Sequence, residues 1–263
     1  VDTEHGLFIC NARGLFRKNK QTPIVGDLVE IDTESKMLMT LLPRANELKR
    51  PRVANVDQVV VVFAAAQPEL HFAMLDRYLL QAEYEEIEAA ICINKNDLTD
   101  DIPRQVKELY EKVGYTVFIV SVNDDTGFEP LIEFLHDKTT VLAGPSGVGK
   151  SSIINKLTDS ALIVGKVSER IGRGKHTTRH TEFIPLLSKG YVIDTPGFSS
   201  LEPPDIPLAE RAMLFKEFRP WLDDCKFRNC LHRAEKECAV KEQVGQSIDT
   251  RRYERYLEWI RSD

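Results

Sequence analysis

Gly144-Pro145-Ser146-Gly147-Val148-Gly149-Lys150-Ser151 fills the pattern GxxxxGK[ST] without a gap. Its glycines let successive backbone N–H groups close around phosphate oxygens. Its lysine reaches terminal phosphates, and its last hydroxyl suits a magnesium ion at a helix start. Ser152 stands beside Ser151 and joins the same phosphate-facing set. Further along, Asp194-Thr195-Pro196-Gly197 follows Tyr191-Val192-Ile193, which places a carboxylate at a strand end. There Asp194 can act on magnesium through its water shell, and Gly197 can present its N–H to a terminal phosphate. A third group, Cys225, Cys230, His232 and Cys238, follows the spacing C-x4-C-x-H-x5-C. Three thiolates and one imidazole are a donor set for a tetrahedral structural zinc with no open position for water.

Asn94-Lys95-Asn96-Asp97, directly after Ala-Ala-Ile-Cys-Ile, resembles the guanine-specificity motif of GTPases. In that reading Asp97 accepts from the N1–H and exocyclic amine of guanine, Lys95 packs across base and loop, and Asn94 holds neighbouring loops together. Adenine lacks that donor pair, so the chemistry favours GTP over ATP. Ser121-Val122-Asn123 resembles the supporting base-binding loop, which usually reads SAK. An ordinary small GTPase runs phosphate loop, DxxG, then NKxD. Here the base reader comes first, the order of the circularly permuted GTPases.

Three further features narrow the resemblance: a barrel-like amino-terminal stretch, Gly172-Arg-Gly-Lys-His-Thr-Thr-Arg-His180, and the cysteine cluster. With them the chain resembles the ribosome small-subunit-dependent GTPase family over essentially its whole length. The resemblance implies an oligonucleotide/oligosaccharide-binding barrel, a GTPase core and a zinc domain. It implies GTP/GDP, Mg2+ and one structural Zn2+ as ligands. It also implies a role in late maturation of the small ribosomal subunit, with ribosomal RNA as partner. One switch threonine should close over magnesium; Thr178 is favoured, and spacing leaves Thr177 open. Phe198 occupies the position where a Ras-like switch carries a water-orienting glutamine. A phenyl ring neither orients water nor accepts its proton, so the chain is expected to be a poor GTPase alone. His176, or a group supplied by the ribosomal particle, is expected to position the water.

The elements that must carry these groups alternate. Residues 59–66, 89–94, 116–120 and 139–143 read as buried strands, with helices predicted over 71–86, 102–113, 127–135 and after the glycine loop. Strands are also expected at 182–187 and 190–193. Before them, short extended runs at 7–14, 23–31 and 37–43 suggest a small OB-like β-barrel, incomplete at its start. After Pro207 the pattern is helix-like over 208–218, then the cysteines, then a helical tail from Ser247 to Ile260. The expected fold is therefore multidomain, with a barrel over 1–55, an α/β GTPase domain with permuted motifs over 56–206, and a separate helical zinc domain over 207–263.

The chain has 263 residues, 42% hydrophobic, with a net charge of -6, which gives no whole-chain attraction for nucleic acid. Basic groups are nonetheless bunched. Arg13, Arg17 and Lys18 form one cluster, Arg173, Lys175 and Arg179 another, and Lys226 and Arg228 interleave the zinc ligands. These are the RNA-contact candidates, suited to phosphates rather than to base edges. No transmembrane stretch or signal peptide is evident, and five cysteines without a disulfide pattern fit a cytoplasmic protein. No membrane or DNA partner is expected, and a monomer is the default. The competing readings are a GTP-dependent protein-docking switch outside the ribosome, an ATP-driven nucleic-acid enzyme, and a non-hydrolysing RNA-binding zinc protein.

Overall fold

The computed structural model describes residues 1–12, 16, 22–49, 52–158, 182–194 and 206–261. The amino-terminal part is built of short strands. β1 (Asp2–Thr3) pairs with β2 (Gly6–Leu7); β3 (Asn11–Ala12), β4 (Val29–Asp32) and β5 (Met37–Leu41) form a sheet in the order β3-β5-β4; β6 (Glu47–Lys49) pairs with β7 (Arg52–Ala54). The extended runs read from sequence thus appear as shorter pieces. Side chains stitch them together: Asn55 Nδ2 donates to the Gly26 carbonyl at 2.9 Å, and Arg44 Nε donates to Asp27 at 2.6 Å. A backbone bridge from Val25 to Val53 joins the early and late strands.

The centre is a six-stranded sheet. Its strands are β8 (Gln58–Ala64), β9 (Glu88–Asn94), β10 (Thr116–Ile119), β11 (Thr139–Ala143), β12 (Glu182–Pro185) and β13 (Tyr191–Asp194), in the order β10-β9-β8-β11-β13-β12. All neighbours are parallel except the edge strand β12, which runs antiparallel to β13. Helices α1 (Phe72–Tyr84), α2 (Asp101–Val113), α3 (Phe128–Leu135) and α4 (Lys150–Leu157) supply the crossovers. Because helices cover both faces, β8 is buried at every position and reads as an apolar run from Val59 on, after Gln58, whose amide donates to the Thr140 hydroxyl at 2.9 Å. Its side chains alternate between two cores. Val59, Val61 and Phe63 meet Leu75, Leu79 and Val106; Val60, Val62 and Ala64 meet Phe128, Leu131 and Ile153.

The carboxy-terminal elements are a 3-10 helix over Leu208–Leu214, a second over Arg219–Trp221, a short α5 (Ala239–Glu242) and α6 (Thr250–Arg261). The helix-like pattern at 208–218 therefore folds as tight 3-10 and turn structure instead of α-helix. The cause is visible in burial: 211–212, 214–215 and 217–218 are buried in pairs that repeat every third residue, the period of a 3-10 turn.

This part is also less separate than its sequence suggested. Leu80 of α1 lies inside the carboxy-terminal core with Phe215, Phe218, Tyr256 and Ile260. Beside it, fully buried Arg252 donates from Nε and Nη2 to both oxygens of Glu217, at 2.6 and 3.1 Å, and from Nη1 to Asp76 of α1. Arg255 and the Tyr110 hydroxyl also donate to Asp76, the latter at 2.5 Å. Two guanidinium groups thus face two carboxylates in a dry seam, where a charge is tolerated only if paired and hydrogen-bonded. No described helix is long and apolar enough to cross a membrane.

Candidate nucleotide site and candidate metal centre

Parallel α/β sheets bind ligands beyond the carboxyl ends of their strands, where successive connections diverge. In this sheet β11 is such a place. The chain leaves its carboxyl end through the glycine loop into α4 and returns to β13 on one side, while β8 on the other side, with β9 beyond it, belongs to the preceding run of crossovers. The loop's shape depends on missing side chains. A Cβ on Gly144, at φ 137°, would sit 2.1 Å from the Val62 carbonyl oxygen; one on Gly149, at φ 97°, would sit 2.2 Å from Asn94 Nδ2. Buried Val148 pins the loop between them, and Ser146 and Gly147 remain exposed. Lys150 Nζ donates to the carbonyls of Gly144 and Pro145, both at 2.7 Å, so the ammonium lies within the arc of the loop. Ser151 and Ser152 are exposed in the first turn of α4.

The Asn94–Asp97 run reaches this loop across β8. Asn94, 2% exposed at the end of β9, donates from Nδ2 to the Val148 carbonyl at 3.0 Å and accepts from the Val122 N–H at 3.3 Å. One amide therefore fastens the phosphate loop to the Ser121–Asn123 loop. Lys95 adopts the left-handed conformation and donates from Nζ to the Gly147 carbonyl at 2.8 Å and to the Gln67 carbonyl. Asp97 is exposed and held from one side: the Ser121 hydroxyl donates to Oδ1 at 2.7 Å and Asn123 Nδ2 lies 3.5 Å from Oδ2. Ser121 is itself buried and accepts from the Asp124 N–H at 3.0 Å. A carboxylate oriented in this way, with its remaining lone pairs outward, suits a ligand edge carrying two adjacent N–H donors.

The register of β13 sets Asp194 opposite Leu142, one residue before Ala143 ends β11. Its backbone thus ends at the same edge as the glycine loop. The side chain of Asp194 lies outside the described residues, as do His176, Thr177, Thr178, Gly197 and Phe198, and the basic candidates Arg13, Arg17, Lys18, Arg173, Lys175 and Arg179.

Cys225, Cys230, His232 and Cys238 converge, with one ligand atom from each lying within 4.8 Å of the others. Cys225 Sγ is 3.6 Å from His232 Nδ1 and 3.9 Å from Cys238 Sγ, and His232 Nδ1 is 3.4 Å from Cys238 Sγ. A zinc tetrahedron with its usual bond lengths has edges of about 3.8 Å between sulfurs and about 3.5 Å between sulfur and nitrogen. The donors and their spacing fit that ion. Burial pushes the Cys238 thiol up to about 12 and holds the His232 imidazole below its usual range, so the pocket favours neutral donors until a cation enters. Three carboxy-terminal partners set the ligand loop. The Tyr253 hydroxyl donates to the His232 carbonyl at 2.6 Å, Tyr256 to the Leu231 carbonyl at 2.9 Å, and Glu235 Oε1 accepts from the Leu231 N–H at 2.8 Å. Lys226 and Arg228 project from this loop, Lys226 in an ion pair with Glu237.

Sequence reading named side chains for both candidate sites and no backbone partners for them. The Gln67 carbonyl that holds Lys95 carries no mark in the sequence, since any residue supplies a carbonyl. The tyrosines behind His232 could have been noticed as a pair at i and i+3 in the tail, on one helix face.

Comparison with known proteins agrees with this geometry. Residues 41–204 match the family model described as RsgA GTPase, and residues 1–38 match the RsgA N-terminal domain. The chain is 46% identical over 99% of its length, and 92% of the relative's, to the "Small ribosomal subunit biogenesis GTPase RsgA" of Alkaliphilus metalliredigens. Among solved structures it is similar to YjeQ from Thermotoga maritima, with TM-score 0.84 and 36% identity over 98% of this chain and 91% of that one. It is also similar to YloQ, described as a circularly permuted GTPase, with TM-score 0.80 and 40% identity over 97% and 85% of the two chains. The rotated motif order is thus the order of a circularly permuted GTPase, whose activity implies GTP, GDP and Mg2+, and the chain belongs to the RsgA GTPase family.

Proposed function

We propose that this GTPase acts in late maturation of the small ribosomal subunit, binding the particle in one nucleotide state and leaving it after GTP is hydrolysed to GDP and phosphate. The observation that carries the reading is near full-length similarity to a small-subunit biogenesis GTPase, together with base and phosphate readers joined by Asn94 at one sheet end.

The roles follow from the positions. Asp97, held by Ser121 and Asn123, accepts from guanine, while Lys95 and Val122 border the base and Asn94 locks the two loops. Backbone N–H groups of Gly144, Pro145's successor Ser146, Gly147, Val148 and Gly149 enclose phosphate, with Lys150 on the terminal groups and Ser151 and Ser152 at the helix start. Ser151, Thr178 and Asp194 would hold Mg2+, which would supply positive charge against the phosphates. Gly197 offers its N–H to the terminal phosphate, and switch motion follows its loss on hydrolysis. Phe198 leaves the chain without an orienting amide, so His176 positions the water once the particle is bound.

Cys225, Cys230, His232 and Cys238 would hold one structural zinc, which cross-links the loop they share. The amino-terminal barrel over 1–55 and the zinc domain over 207–263 flank the GTPase domain over 56–206. They present Arg13, Arg17, Lys18, Lys226 and Arg228 to ribosomal RNA, and the switch adds Arg173, Lys175 and Arg179. The working form is a cytoplasmic monomer.

GTP turnover measured with and without purified small subunits, with ATP and large subunits as controls, tests this. Strong stimulation by small subunits and GTP alone is expected; equal turnover in every GTP sample overturns the ribosomal role. His176→Ala should abolish the stimulated rate and leave GDP affinity unchanged. Undiminished stimulation in that variant removes His176 from the mechanism and leaves the ribosomal reading standing.

A further inference from the structure

Away from the nucleotide, α1 and the 3-10 helix over Leu208–Leu214 enclose an open cleft of about 670 Å³. Its apolar part is Ile87, Ile206 and Leu214 below, with Tyr84 and Met213 at 42% and 56% exposure above. Monomers leave scattered apolar side chains in water, but two large ones lining one concave surface mark a place built for contact.

The charge of the cleft is acidic on balance, with four glutamates against two cations. Lys216 and Arg219 share the nearly buried carboxylate of Glu83, which they meet at 3.0 and 2.7 Å and which offsets one of their two charges. Glu86, Glu88 and Glu210 remain exposed around the rim. Glu88 shares a solvent-exposed pair with Lys138 at 3.3 Å, which neutralises little, and no ion pair holds Glu86 or Glu210 among the described residues. A second source of negative potential is independent of these side chains. The carboxyl end of α1, a 13-residue helix with no basic residue in its last turn, terminates at Tyr84 in the cleft wall.

We propose that this cleft is a docking site for a lysine- and arginine-rich polypeptide segment carrying at least one apolar side chain. The spread of the carboxylates decides against a metal ion. Among the described residues the only convergent group of potential metal ligands is the cysteine and histidine cluster. A nucleic acid is repelled by the same rim. An extended cationic peptide satisfies both halves of the surface: its basic side chains meet Glu86, Glu88 and Glu210, and its apolar one enters between Tyr84 and Met213. The proposal does not depend on the ribosomal reading, since it rests only on this cleft.

The test uses the full zinc-loaded chain and fluorescence anisotropy of a short labelled peptide in which lysine alternates with leucine. Peptides alternating glutamate with leucine and lysine with serine serve as comparisons. The lysine–leucine peptide should bind tightest, and the glutamate–leucine peptide should not bind. Glu86→Lys combined with Glu210→Lys should weaken the lysine–leucine peptide about tenfold. Met213→Ser should weaken it about threefold and leave the lysine–serine peptide unaffected. All these positions are exposed and outside the nucleotide site, so unchanged basal GTP turnover certifies the fold of each variant. Equal affinity in wild type and the double variant overturns the proposal. So does equal binding of the glutamate–leucine peptide, or full displacement by spermidine at matched charge, which would assign the cleft to small polycations.

Discussion

The nucleotide site and the carboxy-terminal seam belong to different kinds of construction. At the nucleotide end, the contacts that matter join short sequence motifs to backbone atoms, as when Asn94 reaches the Val148 carbonyl or Lys150 the carbonyls of its own loop. At the carboxy-terminal seam, side chain meets side chain across great sequence distance, Arg252 and Asp76 being 176 positions apart. The first kind leaves Ser146 and Gly147 of the loop in water, which satisfies what they do not bond, above a buried tie at Asn94. The second is dry, and each ion depends on every other. A switch needs the former near its ligand and the latter where its parts must stay together.

Four substitutions sharpen the contrast, and the largest effect belongs to the metal centre. Cys230→Ser should reduce zinc content from about one per chain to near none. Structural zinc contributes on the order of 10 kcal/mol or more in small domains, so amide protection should vanish across residues 225–248 while β8 and β9 keep theirs. Full zinc occupancy in that variant, read by atomic absorption, would remove the metal assignment.

Next comes the seam. Arg252→Met strands Asp76 and Glu217 without their shared cation and should cost about 3–5 kcal/mol in urea unfolding. A loss below about 1 kcal/mol would mean that solvent reaches these carboxylates.

At the nucleotide end the effects should fall on binding as well as on folding. Asn94→Ala leaves the buried Val148 carbonyl without its donor and should cost about 1–3 kcal/mol in urea unfolding, and by untying the two loops it should weaken binding of a fluorescent GDP analogue. An unchanged affinity would show that the two loops need no tie. Ser121→Ala removes one hydrogen bond to Asp97 and should cost about 1 kcal/mol, roughly fivefold in affinity. If instead it unfolds the domain, Ser121 is a structural residue and Asp97 is oriented by other means.

The same contrast explains what could be read from sequence. The glycine loop, Asn94-Lys95-Asn96-Asp97 and the cysteine cluster are contiguous patterns whose chemistry is local, and the buried strands announce themselves by composition, as Val59 to Phe63 do. The 3-10 geometry after Pro207 was not legible, because Ala, Glu, Arg, Met and Leu all favour α-helix. Packing of Phe215 and Phe218 against Tyr256 decides the matter instead. Nor was the seam legible: a charge on an amphipathic helix is by default solvated, and nothing in the sequence sets Asp76 and Arg252 apart from that default. The Gln67 carbonyl belongs to the same class of hidden partner.

Leu80 and Asp76 lie on a helix of the GTPase sheet and yet belong to the carboxy-terminal core. Dividing this chain into expressible pieces therefore has no clean cut near Pro207. A fragment ending there would carry a raw apolar patch at Leu80 and an Asp76 carboxylate stripped of both arginines. The complementary fragment would keep Arg252 on Glu217 but lose the Asp76 carboxylate that Arg252 and Arg255 share.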